Sequence, residues 1–431
     1  MAKQIEIPKP TKVPDNWCWV AMGKLTSMKS GYPFDSHRFV NEPSNTTRPL
    51  IRIRDVIRGT TETFTDEECP DEYIITRGEI LIGMDGDFNV AKWQSADALL
   101  NQRVCCIKSS CDLFLDDFLF YYLPDPLKKI NDATPSVTVK HLSTKTLAVT
   151  PVPVPPLAEQ RRIVDRIEYL FAKLDEAKEQ AQSALDSFDT RKAAILHKAF
   201  TGELTAKWRE ANGVSYDTWE LKKLDDVCNS IFDGDHMPPP KSEIGIPFLV
   251  ISNVNTGFLS FDNTRFVPQE YYDSLTETRK PEKGDVLYTL VGSYGIPVVV
   301  DSDNPFCFQR HMALLKPDTI DTRCLWYLLQ TQEMFQKASA IAKGVAQLTV
   351  PIKGLRAMDF LCPSPEEQLE IVSILDSLFA KEQQAKEAAE AVLEKIDLLK
   401  KSILARAFRG ELGTNDPAEE SALELLKAVL N

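Results

Sequence analysis

Apolar residues recur in two stretches of the chain at alternating four- and three-residue steps. The first stretch is Ile163, Ile167, Leu170, Leu174, Ala177, Ala181, Ala184 and Phe188. The second is Ile371, Leu375, Leu378, Glu382, Ala385, Ala389, Val392, Ile396, Leu399 and Ile403, with Glu382 interrupting the stripe. This a/d heptad spacing predicts two helices that pack along a seam. Pro155-Pro156 and Pro363, Pro365 suit a first helical turn, and Gly202 and Gly410 suit the C-terminal ends. A helix of about 45 residues is a rod of about 65 Å. Outside these stretches the period shortens to two. Ile51-Arg52-Ile53-Arg54 alternates, and Phe248-Leu249-Val250-Ile251 and Pro297-Val298-Val299-Val300 read as short apolar strands. Asp85-Gly86, Asp233-Gly234 and Gly292-Ser293-Tyr294-Gly295 mark turns, while 113–123 and 325–340 each read as one helix.

The chain is written twice. Shifted by 208 positions, residues 155–204 lie over 363–412 without a gap, and 23 of the 50 pairs are identical. Glu159-Gln160 recurs as Glu367-Gln368, and Ala199-Phe200 with Gly202-Glu203-Leu204 as Ala407-Phe408 with Gly410-Glu411-Leu412. The regions before each copy echo more weakly. Pro49-Leu50-Ile51 answers Pro247-Phe248-Leu249, Gly78-Glu79-Ile80-Leu81 answers Gly284-Asp285-Val286-Leu287, and Gln102-Arg103 answers Gln309-Arg310. The order is variable region, constant segment, variable region, constant segment. Two copies in one chain favour a pseudo-two-fold arrangement, which runs the two helices antiparallel. The expected class is α+β, with domains at 1–154 and 206–362, helices at 155–205 and 363–412, and a tail at 413–431. Residues 421–430 form an amphipathic helix that could contact a partner or fold back.

Composition narrows the classes. The 431 residues are 43% hydrophobic and 26% charged, as in an ordinary globular protein. No apolar run reaches the roughly 18 residues that span a bilayer, and the first residues lack a signal-peptide core. Nine cysteines without a Cys-x-x-Cys pair read as reduced thiols in the cytoplasm, and Cys105-Cys106 with Cys111 finds no histidine pair to complete a metal site. There is no Gly-x4-Gly-Lys-Ser/Thr loop for nucleotide hydrolysis. Asn304-Pro305-Phe306 and Met237-Pro238-Pro239-Pro240 each fall short of a base-methylating loop, and Pro70-Asp71 lacks the lysine of a metal-dependent nuclease. No catalytic or metal site is expected.

Basic and amide residues offer a binding reading instead. Arg48, Arg52, Arg54 and Arg58 stand within eleven residues that hold one acid, Asp55. On a strand, Arg52 and Arg54 would share a face and could meet phosphates or a guanine edge, or form an ordinary solvated face. The loops Lys29-Ser30-Gly31-Tyr32 and Asp233-Gly234-Asp235-His236 could contact a ligand or be plain turns. Gln102-Arg103 and Gln309-Arg310-His311 pair an adenine-reading amide with a guanidinium, though repetition also marks residues that fix a fold.

The doubled order of domains and helices resembles the DNA-specificity subunit of type I restriction-modification systems over essentially the whole chain. The resemblance is carried by Pro153-Val154-Pro155-Pro156-Leu157-Ala158-Glu159-Gln160 with the ending Gly202-Glu203-Leu204, and by their second copies. Gly284-Asp285-Val286-Leu287 followed by Gly292-Ser293-Tyr294-Gly295 adds to it, with Ser293 and Tyr294 joining the candidate contacts. In the first domain Gly83-Met84-Asp85-Gly86 departs from that pattern. The resemblance implies two target-recognition domains, each reading half of a split double-stranded DNA site, with the helices setting the spacing. It also implies a non-catalytic subunit. Two methyltransferase subunits would bring S-adenosylmethionine, and two translocase-nuclease subunits ATP and Mg²⁺.

The net charge of −13 argues against a strong grip on DNA. Residues 1–150 carry 18 basic and 20 acidic groups, whereas 361–431 carry 8 and 14, so the acidity concentrates late in the chain.

Overall fold

The computed structural model describes residues 12–135, 139–236, 239–345 and 347–430; Met237 and Pro238 of the proline run lie outside them. The chain forms two compact units, Met1–Gln180 with Ala391–Asn431, and Ala181–Glu390. Both divisions fall inside long helices, so the first unit contains both described ends of the chain.

The first unit holds a four-stranded antiparallel sheet in the order Thr26–Ser30, Val104–Ser109, Ile80–Gly83, Val90–Lys92. A second sheet runs Phe64–Thr65, Arg48–Ile51, Ala98–Leu100, Ile74–Ile75, with one parallel pair, Leu50 opposite Leu99. A ribbon of Cys18–Ala21 with Pro151–Val154 joins the region's two ends. Alternation sorts the first sheet onto two cores. Ile80, Ile82, Cys105 and Ile107 meet Phe118 and Leu119, while Leu81, Val104 and Cys106 meet Trp93 and Ile51. With both faces covered, these strands read as continuous apolar runs.

The second unit repeats the plan. Its sheets run Cys228–Asp233, Met312–Pro317, Val286–Thr289, Pro297–Val299 and Arg265–Val267, Ile246–Leu249, Cys307–Phe308, with a ribbon of Glu220–Lys223 and Asp359–Cys362. Phe248 stands parallel to Cys307 as Leu50 does to Leu99. This register corrects one sequence match. Val104 donates to the carbonyl of Asn101, and Met312 to that of Gln309. Gln309 therefore occupies the place of Asn101, and Gln102 and Arg103 correspond to Arg310 and His311. The Gln-Arg identity lies one residue out of step.

The segment 113–123 holds one helix, as expected, with a second following directly, whereas 325–340 is two helices and not one. Asp116–Tyr122 gives way to Pro124–Ala133 at a proline with no N–H to donate, and Thr322–Leu329 to Gln332–Ile341, which Thr331 caps through the N–H of Met334. The spacer helices are Leu157–Asp186 continued by Phe188–Phe200, and Pro365–Ala407. They end at Gly202 and Gly410 with φ of +79° and +78°, as the sequence predicts.

In the first unit Ile163 and Ile167 share a core with Ala407, Ile403 and Leu404, and Asp175 pairs with Lys400 at 2.5 Å. In the second, Leu196 and Ala199 meet Ile371 and Leu375, and Arg191 pairs with Glu382 at 2.9 Å. Positions on one helix fall as those on the other rise, so the packing is antiparallel. Glu382, the break in the stripe, has a cationic partner. Leu170, Leu174 and Leu378 are half-buried and Ile396 is buried, but Ala184, Val392 and Leu399 are exposed. A straight helix drifts about 20° per heptad from a 3.5-residue repeat, which carries such positions off the seam.

Each spacer helix opens on a buried Glu-Gln pair. Gln160 accepts from the N–H of Leu115 at 2.9 Å and donates to the carbonyls of Leu113 and Pro155. Gln368 accepts from Asp321 N–H at 2.8 Å and donates to the Pro363 carbonyl. Glu367 accepts from Trp219 Nε1–H at 2.7 Å, from the Thr205 hydroxyl and from the Arg209 guanidinium. Glu159 accepts from Asn415 N–H and the Thr414 hydroxyl, both at 3.0 Å, and from Arg162, which also reaches Glu419. The tail thus serves the first unit as 205–219 serve the second. Its helix Ala422–Leu430 folds back, burying Ala422 and Leu426 in the core with Trp17.

Glu367→Ala strands a buried guanidinium, so calorimetry should find the second unit destabilised by about 3–5 kcal/mol; a loss under 1 kcal/mol would contradict this account. Burial would raise the Glu159 pKa, but the bonds from Asn415, Arg162 and Thr414 outweigh it and hold the carboxyl below its ordinary 4.5. A depressed carboxylate contributes stability above about pH 4.5, lost as pH falls through the folded value. Truncation after Leu412 should therefore lower stability at pH 7 and reduce the acid-side loss in urea unfolding. Parallel losses from pH 7 to 3 in both chains would exclude the latch.

Candidate nucleic-acid interface

The glycine loops and the 101–103 and 309–311 turns, separate in sequence, form one surface in each unit. A Cβ on Gly31 would lie 2.0 Å from the Asn101 carbonyl oxygen, and one on Gly234 2.4 Å from that of Phe308. Only glycine permits this approach. Tyr32 then bridges to Asn101, and Asp235 to Gln309.

In the second unit the contact opens a cleft of about 340 Å³. Asp235, His236, Gln309 and Arg310 stand on its walls, over an apolar floor that includes Phe248, Val250 and Phe266. His236 pairs with Asp233 at 2.9 Å, and Tyr271 donates to Asp235 at 3.2 Å. Burial, with the Arg310 cation beside it, holds His311 below its usual pKa, so its ring is neutral at pH 7. Arg265 and Lys241 join the lining. Nothing in the local sequence marks Arg265; strand pairing with Ile246–Leu249 delivers it. Lys241 follows Pro239 and Pro240, whose place on the cleft wall no motif announces. Among the described residues, Lys241, Arg265 and Arg310 have no ion-pair partner. Ser293 and Tyr294 do not line the cleft. The Tyr294 ring stacks on Phe335 at 5.6 Å and its hydroxyl meets Ser339.

In the first unit the matching place is filled. Tyr32 packs edge-on against Phe34 and Tyr73, at 4.9 and 5.3 Å, and Phe34 is buried on Leu50 and Leu99. The cations here are mostly held. Lys29 meets Glu72, Arg52 lies 5.8 Å over Phe39, and Arg54 bonds Thr63 beside Asp55. Arg103, at φ +74°, is steered by Asp85 and His141. That places Asp85, in the departing Gly83-Met84-Asp85-Gly86 turn, against the candidate residue. The shared strand face expected for Arg52 and Arg54 does not exist, because the strand Arg48–Ile51 stops short of both. Asp55 accepts from the Arg52 N–H at 2.8 Å and from Thr61, turning the chain into the helical turn Asp55–Arg58, which Gly59 ends at φ +69°. Arg48 opens the strand before that turn and Arg58 is its last residue, both exposed. Gln102 donates its N–H to the Tyr32 carbonyl, and Ser30 lies in the adjoining strand edge.

Among the described residues no group of histidine, cysteine and carboxylate side chains could hold a metal, and no helix is long and apolar enough to cross a membrane. All nine cysteines are free.

Comparison with known proteins places these observations. A family model described as the type I restriction modification DNA specificity domain matches residues 17–185 and again 216–395. The chain is 33% identical to the specificity subunit of the type I restriction enzyme EcoBI of Escherichia coli, over 95% of this chain and 89% of that one. It is 23% identical to the EcoKI specificity subunit of E. coli strain K12, over 96% and 92%. The fold matches the crystal structure of an HsdS subunit from Thermoanaerobacter tengcongensis with a TM-score of 0.62 at 20% identity, over 93% of this chain and 99% of that one.

Gly31→Ala and Gly234→Ala each force a methyl group onto backbone and should lower the unfolding free energy by about 1–3 kcal/mol in urea titration. Loss of less than half a kcal/mol from both would show that the loops can part without cost.

Proposed function

The chain belongs to the type I restriction-modification DNA specificity family, and on that premise we propose that it reads a split, asymmetric site in double-stranded DNA. Members of this family are specificity subunits, without a catalytic centre of their own. Residues 1–154 and 206–362 each read one half-site, 155–205 and 363–412 set the distance between the halves, and 413–431 close the first unit. Two methyltransferase subunits carrying S-adenosylmethionine and two translocase-nuclease subunits using ATP and Mg²⁺ complete the complex, in the cytoplasm.

One observation carries the reading. The two units share the order and register of their main sheet and of the parallel pair beside it. Yet at matched loops one presents packed aromatic rings and the other an open cleft with cations that have no ion-pair partner among the described residues. A common frame with different surfaces is what two readers of different sequences need. A half-site of a few base pairs recurs too often to be useful alone, so two readers at a fixed spacing multiply selectivity.

Exchanging residues 14–150 for those of a relative should change one half of the motif methylated in cells and leave the other. Uniform methylation before and after the exchange would sink the proposal. Lengthening both spacer helices by seven residues, at 180/181 and 390/391, adds about 10 Å and should widen the spacer by about two or three base pairs without altering either half. Altered bases with an unchanged spacer would refute the ruler. The acidic chain should bind DNA weakly by itself, and tightly only with methyltransferase subunits present; tight specific binding by the lone subunit at physiological salt would refute that division of labour.

A further inference from the structure

We infer that the cleft of the second unit seats the sugar-phosphate backbone of its half-site, with Lys241, Arg265 and Arg310 as phosphate ligands. The inference rests on the DNA-reading role proposed above and adds which part of the DNA this surface holds. Shape is the first argument. Base edges lie recessed in grooves about 8 Å deep, so a side chain that reads them must project from the protein. A concave surface of about 340 Å³ fits what projects from the duplex, and that is the backbone ridge.

Charge is the second. Elsewhere in this unit several cations are matched, Lys316 with Glu282 and Asp285, Lys337 with Glu333 and Asp359, Arg323 with Asp376. Others such as Lys223, Arg279 and Lys353 stand without an ion pair among the described residues but outside this cleft. Around the cleft three exposed cations converge with no ion-pair partner among the described residues. Leaving three positive charges unmatched in a chain with 63 acids keeps them free for an anionic ligand. The floor of Phe248 and Phe266 suits the apolar face of a deoxyribose. In the first unit the equivalent position is filled by Tyr32, Phe34 and Tyr73, so the clamp belongs to one half-site alone.

Phosphate contacts position a duplex and carry no sequence information directly, which separates this assignment from base reading by Arg310. The test uses the full chain assembled with its methyltransferase subunits, and fluorescent duplexes with the methylated motif or a scrambled one. Lys241→Ala, Arg265→Ala and Arg310→Ala should each weaken binding to both duplexes by the same factor. Each should reduce the slope of log K against log salt by about one, and the motif methylated in cells should stay as in the wild type. Arg265→Lys and Arg310→Lys should retain the wild-type slope. All three side chains are exposed and unpaired, so thermal midpoints should hold.

Relaxation of a base in the second half-site by Arg310→Ala would overturn the assignment and make Arg310 a groove reader. Unchanged affinity and slope in all three alanine variants would show that the cleft does not touch DNA. If the wild-type complex itself has no split motif, the DNA-reading role fails. If it has one and the variants are silent, only the clamp falls.

Discussion

The buried Glu-Gln pair at the start of each spacer helix is the constraint on which the architecture rests. A carboxylate withdrawn from water must have its oxygens satisfied, and Glu159 and Glu367 recruit their donors from segments far along the chain, Thr414 and Asn415 in one case and Thr205, Arg209 and Trp219 in the other. Each neighbouring glutamine meanwhile ties its helix to the preceding domain through main chain, Gln160 through the N–H of Leu115 and the carbonyl of Leu113, Gln368 through the N–H of Asp321. Backbone groups are present whatever the side chains. A constant helix can thereby hold a domain whose sequence is free to change.

The same pair explains why neither unit is a continuous reading of a domain followed by its helix. The segment after the first spacer helix seals Glu367, more than 140 positions ahead of it, while the C-terminal tail returns to seal Glu159. Gly413 shows how tight the return is, since a Cβ there would lie 1.7 Å from the Glu159 carboxylate. The tail is therefore structural, and both halves of the repeat are closed by the same chemistry with different residues.

What could be read in the sequence follows from what is local. Heptad spacing, the proline starts and the glycine ends declare the spacer helices, because each depends on neighbours within a few turns. Glu159-Gln160 was visible as an identity, but the Thr414 and Asn415 donors to Glu159 lie more than 250 residues away, so its role was not. Arg52 and Arg54 show the opposite failure. Their alternation with Ile51 and Ile53 imitates a strand, and one carboxylate, Asp55, overrides it by capping a turn. The cleft was half legible. Gly234 and Gln309 stood out, whereas Arg265 arrives by strand pairing and Lys241 behind a proline run, with no local mark.

Net charge is a poor guide to such a surface because the charges that matter are few and fixed by geometry. Screening confines their reach to about 10 Å, so acids that are paired, or remote from the cleft by more than that, subtract little from its potential. Glu382 is spent on Arg191, Asp376 on Arg323 and Asp175 on Lys400. Three unmatched cations against one acid on the same concavity, Asp235, leave it net positive, but three cannot supply the affinity of a complete DNA complex. On the proposed reading, an acidic chain with a small basic clamp gains selectivity from this arrangement. Most of the attraction would then come from partner subunits, so the chain would not hold DNA indiscriminately before they assemble.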